Sequence, residues 1–118
     1  MSTGRRAALA ATLIAAAGAV CALDCPEPPR QAPRDWNVQV ATEVARIGPL
    51  RGAELRTQVQ TVTQDLLGKL PGADRVYLEQ MMFAAYCSAL RDDKTMSEAA
   101  KAQQVLDYRR ELQGALRR

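Results

Sequence analysis

Between Met81 and Leu90 the only clearly polar side chain is Ser88. The run lies inside ADRVYLEQMMFAAYCSALRDD, and at about 100° per residue it has two apolar faces. Val76, Phe83, Cys87 and Leu90 share one face, while Leu78, Met82, Ala85 and Ala89 share roughly the opposite one. A surface helix carries one apolar stripe; a helix apolar on both sides is one that other elements surround. The segment 76–90 is therefore predicted to be the central helix of the fold.

The flanking segments supply the surrounding elements. In GAELRTQVQTVTQDLLGKLPG, Leu55, Val59, Val62, Leu66 and Leu70 recur at steps of 4, 3, 4 and 4, a single stripe on a solvated helix that Pro71-Gly72 stops. Its threonines lower helix propensity, so packing must hold it. In TMSEAAKAQQVLDYRRELQGALRR, Val105, Tyr108, Leu112 and Leu116 form an inward stripe, with Asp107, Arg109, Arg110 and Glu111 on the outside. Thr95 with Glu98 matches a capping box, and Ser97 is a rival cap. WNVQVATEVARI, 36–47, fits two patterns: alternation from Trp36 to Val44 suits a strand, and Val40, Val44 and Ile47 suit a helix. No second strand is apparent to pair with it, which favours the helix. Gly48-Pro49 ends either element. The expected fold class is all-α, a small helical bundle of three to four helices.

The N-terminal third reads differently. In MSTGRRAALAATLIAAAGAV a short polar start with Arg5 and Arg6 precedes an apolar run of 14 residues, Ala7 to Val20. That is the layout of a secretory signal peptide, and the run is shorter than the roughly 20 residues a spanning helix needs. Small side chains at −1 and −3 favour a cut after Ala22, with a cut after Cys21 fitting less well. Val20 before Cys21 and Asp24 before Cys25 do not suit a lipoprotein cysteine, and alanines follow the paired arginines where a twin-arginine signal has larger apolar residues. The expected organisation is a signal peptide over 1–22, a proline-rich linker over 23–35 and a helical domain over 36–118. DCPEPPRQAPRD, 24–35, holds four of the six prolines and reads as an extended lead-in.

Cleavage changes the chemistry of what remains. Removing 22 of 118 residues leaves 96, enough for one small domain. The 16 basic residues become 14 against 13 acidic ones, so the net charge falls from +3 to +1 and gives no support for nucleic-acid binding. Cys21 is lost, and Cys25 and Cys87 remain. An even pair in an exported chain reads as a disulfide, which would pin the lead-in onto the bundle. It would contribute on the order of 4 kcal/mol in the chain-entropy account.

The catalytic inventory is thin. The chain has no histidine, which removes the commonest general base, the serine–histidine and cysteine–histidine pairs and histidine zinc sites. GKLPG lacks the spacing of a phosphate loop. Asp92-Asp93 and Glu79 are the carboxylates open to acid–base work, though adjacent aspartates after a helix usually belong to a solvated turn. Met81, Met82, Met96 and Cys87 raise a soft-metal question that ordinary apolar packing answers. No catalytic residue, metal site or cofactor is assigned. The polar loop Arg91, Asp92, Asp93 and Lys94 is the candidate binding edge, because function favours loops on rigid scaffolds.

These residues allow two functional readings. The first is a small exported, non-catalytic binding module of the bacterial cell envelope, periplasmic or secreted. Its partner would be another envelope or secreted protein, and it would not be an integral membrane protein once cleaved. The alternative is an exported enzyme or thiol-redox factor using Cys87 or the Asp92/Asp93 loop. A reactive thiol is exposed and near positive charge; Cys87 lies in an apolar stretch, which favours the first reading.

Overall fold

The computed structural model describes residues 23–30 and 32–117. The expected signal peptide, residues 1–22, lies outside the described residues. The described chain forms four helices: α1 Arg34–Val44, α2 Gly52–Lys69, α3 Arg75–Arg91 and α4 Glu98–Arg117. No strand occurs among the described residues, so the all-α bundle is as expected and the ambiguous segment near Trp36 is helical.

Each boundary has a local cause. Pro33 precedes α1, and its carbonyl accepts from Trp36 N at 3.0 Å; Asp35 sits in the first turn, where the helix dipole favours an anion. Beyond Val44 the chain tightens through Arg46 N→Glu43 O and Ile47 N→Val44 O, which carries Ile47 into the core. Gly48 then turns the chain at φ +64°, a conformation that side chains with a Cβ rarely adopt. Asp74 caps α3 by accepting from Val76 N at 2.7 Å. At α4 the cap is Ser97, whose Oγ accepts from Ala100 N at 3.1 Å. Thr95, the expected first choice, is committed elsewhere: its N and Oγ1 both donate to Asp93 Oδ1.

The helices form a ring in the order α1, α2, α4, α3, each packed on the next. α2 and α3 face each other across the centre, where Thr63 Oγ1 meets Met82 Sδ at 4.0 Å. The two stripes behave as predicted: Leu55, Val59, Val62 and Leu66 on α2, and Val105, Tyr108, Leu112 and Leu116 on α4, are all buried. Fully burying one such aliphatic side chain contributes roughly 1.5–3 kcal/mol, and a threonine in a helix costs at most about 0.7 kcal/mol. Packing therefore outweighs the poor propensity of α2.

α3 departs from the expected wrap-around. Leu78, Met81, Met82, Ala84, Tyr86, Cys87 and Leu90 are buried, but Val76 is 61 % exposed, Ala89 is exposed, and Phe83 and Ala85 are only half-buried. The reason is the ring: α1 and α4 flank α3 and α2 covers its inner side, which leaves an outward strip with no helix on it. Two of the tyrosines lie deep. Tyr86 and Tyr108 lie in the middle of the core rather than at its edge, stacked with centroids 3.8 Å apart. Their hydroxyls donate to Gly48 O at 2.8 Å and Met82 O at 3.1 Å, and Gln104 Nε2 donates to both Tyr86 Oη and Leu50 O. Burial pushes both phenols above their usual range, so they stay neutral donors.

One ionic cluster joins α1 to α2. Glu43 accepts from Lys69 Nζ at 2.6 Å and Arg46 at 2.7 Å, and these hydrogen bonds, Lys69 first, hold its carboxyl below the usual carboxylate range. Among the described residues no helix is long and apolar enough to cross a membrane.

Met82 is fully buried between α2 and α4, whereas Asp92 is exposed. Met82→Asp is expected to cost at least about 3 kcal/mol, because a carboxylate there has no partner. Asp92→Ala is expected to leave the urea midpoint unchanged. Equal tolerance of the two changes would contradict the buried-centre assignment.

Candidate functional site

The uncovered strip of α3 is where the lead-in goes. Cys25 is bonded to Cys87, with 5.6 Å between their Cα atoms, and Cys87 is itself 1 % exposed. The anchor is thus set in the core, one turn beyond Phe83. Leu23 and Cys25 pack partly buried against the core and Ala32 is buried, so residues 23–30 with Ala32 and Pro33 lie over the bundle as a strap. The strap has slightly more apolar hold than its composition promised, but only at these few side chains.

Between strap and bundle runs a groove of about 540 Å³. Pro26 and Pro29 form one wall, stiff because each ring fixes φ. α3 supplies Val76, Glu79 and Phe83 along the floor, and Arg109 of α4 closes the far side. The Arg109 guanidinium stands 5.5 Å from the Phe83 ring centroid, a cation–π contact worth roughly 0.5–1 kcal/mol at such a site. A smaller cleft of about 220 Å³ shares Val76 and Glu79 and runs on to Arg75 and Arg117. Arg75 is tied there by donating to Leu116 O at 2.5 Å. Leu106, 60 % exposed, lies one turn before Arg109 on the same side of α4. Of the strongly exposed large apolar side chains, Val76 lines the groove itself.

The loop singled out from sequence is built differently. Asp93 is a brace: its Oδ1 accepts from Thr95 Oγ1 and N, and these bonds hold its carboxyl below the usual range. Lys101, almost fully buried, donates from Nζ to Arg91 O at 2.9 Å and so caps the end of α3. Asp92 and Lys94 face solvent. None of Arg91, Asp92, Asp93 and Lys94 lines the groove; Arg91 is eight residues from Phe83, or about 12 Å along the helix. Of the candidate carboxylates, only Glu79 reaches the groove, where Glu27 of the strap joins it.

The residues that raised the soft-metal question are placed by packing. Met81 and Met82 are buried, Met96 packs against the core, and Cys87 is in its disulfide. Among the described residues no three or more histidine, cysteine, aspartate or glutamate side chains come together as a metal site would need. Arg109 is legible in the sequence only as an outward charge, and the strap prolines only as a spacer; the unmet apolar face at Val76 and Phe83 is the one signal that something lies across it. Comparison with known protein families, curated proteins and solved structures finds no match to this chain.

The disulfide closes a separation of 62 residues, worth about 4 kcal/mol in the chain-entropy account. Cys25→Ser is accordingly expected to lower the melting temperature by roughly 15 °C or more for a domain of this size, with far-ultraviolet circular dichroism at room temperature retained. A melting temperature within about 3 °C of the parent would show that the strap adds nothing to the fold.

Proposed function

We propose that this chain is a small exported, non-catalytic binding module of the bacterial cell envelope, and that the strap groove is its contact surface. The observation that carries the reading is the groove itself: the exposed Val76 and the half-buried Phe83 line a cleft whose other wall, Pro26 and Pro29, belongs to a covalently anchored strap. A monomer rarely leaves such side chains together without use, and a fixed wall lowers the ordering cost of binding. Export is supported by the layout of residues 1–22 and by the disulfide between Cys25 and Cys87.

The thiol-redox alternative is less well supported. A working redox cysteine presents an accessible sulfur, and Cys87 is buried in the core with its partner only half-exposed. The Asp92/Asp93 alternative loses one carboxylate to the Thr95 brace.

Site-specific photo-cross-linking in the native host tests the proposal. A photoreactive residue at Val76 is expected to give one discrete protein adduct in the periplasmic or secreted fraction, while the same residue at Lys94 gives none. Adducts only from Lys94, or from neither site, would overturn the groove as contact surface. Recovery of the chain solely from the cytoplasm would overturn its export.

A further inference from the structure

The groove holds a carboxylate that bears on what enters it. Glu27 and Glu79 both line it, and Glu79 makes no ion pair among the described residues. Glu27 meets only Arg30, at 3.6 Å, with side chains 80 % and 90 % exposed, a pairing that solvent screens almost entirely. Among the described residues, Arg109 is the cation in the groove's lining, and it rests on the Phe83 ring. Glu79 is thus a carboxylate in the lining without an ion pair among the described residues, with Arg109 engaged on one side and Arg75 and Arg117 in the adjoining cleft on the other.

Its shape narrows the choice further. Pro26 and Pro29 have no backbone N–H, so an incoming chain cannot add to the strap as a β-strand. Gln80 offers a side-chain amide instead, able to donate to a backbone carbonyl and accept from an N–H. Pro26 and Pro29 with Val76 and Phe83 make up the apolar part of the lining. Toward the smaller cleft, Arg75 and Arg117 oppose any second basic group.

The geometry points to an extended peptide segment of another protein as the occupant, carrying one apolar side chain on that apolar lining and one adjacent basic side chain on Glu79. This deepens the binding reading above and rests on it. The apolar residue supplies contact area with Phe83 and the prolines. The basic residue supplies an ion pair that Glu79 does not make among the described residues, and it gains from the half-buried setting of that carboxylate.

Synthetic seven-residue peptides, acetylated and amidated, test the occupant directly. Each places one leucine in a glycine–serine frame next to a lysine, a glutamine or a glutamate, on either side of the leucine to cover both chain directions. Titration into the oxidised protein by two-dimensional NMR reads both affinity and place. The better lysine peptide is expected to bind roughly fivefold tighter than its glutamine counterpart at low salt, to shift Val76, Glu79 and Phe83, and to weaken as salt rises. Glu79→Gln should remove the lysine preference and Glu79→Lys should invert it, with melting temperatures unchanged. Absence of a lysine preference, tighter binding of the glutamate peptide, no binding at millimolar peptide, or a dimer that Val76→Asp dissolves would each overturn the proposal. An adduct at Val76 alongside peptides without charge preference would leave the groove a binding surface and refute only its occupant. Lysine-selective binding without an adduct would do the opposite.

Discussion

The bond between Cys25 and Cys87 decides what kind of object this small bundle is. Four helices already close a core around Met82, Tyr86 and Tyr108, and that core leaves one strip of α3 uncovered. Tying the lead-in to a buried cysteine converts the uncovered strip into a groove with two walls. The same link supplies about 4 kcal/mol, a large share of what a domain of this size has in hand. Stability and surface shape thus come from one covalent contact.

Inside the bundle, polar groups do a second job of registration. Apolar packing alone fixes the helices only loosely, since many rotations bury similar area. The Tyr86–Tyr108 stack, with hydroxyls aimed at Gly48 O and Met82 O, and Gln104 bridging to Leu50 O, admits far fewer arrangements. These bonds hold the α1–α2 turn against α3 and α4, and Glu43 with Lys69 and Arg46 holds α1 to α2. Each donor of this network is met, so it specifies a single register at little cost. That rigidity keeps Phe83 and Arg109 facing the strap.

Much of this is legible in residue spacing, and the failures share a cause. The stripes of α2 and α4 have one apolar face each, so their burial follows from period alone. α3 has two, and a pattern of two apolar faces does not say whether the second is covered by helix, strap or nothing. Spacing makes Val76 inward, and it is open to solvent; it makes Phe83 core, and it is a groove floor. The choice of Ser97 over Thr95 as cap turns on Asp93 capturing Thr95, a contact between neighbours that a capping pattern does not register. Arg91, Asp92, Asp93 and Lys94 stand out for polarity, and much of that polarity is spent on ending one helix and starting the next. The groove needs the disulfide partner, the strap path and α4 at once, which no single window of sequence contains.

The central claim is that the disulfide makes the strap a fixed wall. Backbone 15N order parameters of Cys25, Glu27 and Ala32, measured on the oxidised and then the reduced protein, test it most directly. In the oxidised protein they are expected near the values of α3, about 0.85, and on reduction Cys25 and Glu27 should fall below about 0.6 while α2 and α4 stay unchanged. A strap already below about 0.6 with the bond intact would contradict the account, because a mobile wall encloses no groove.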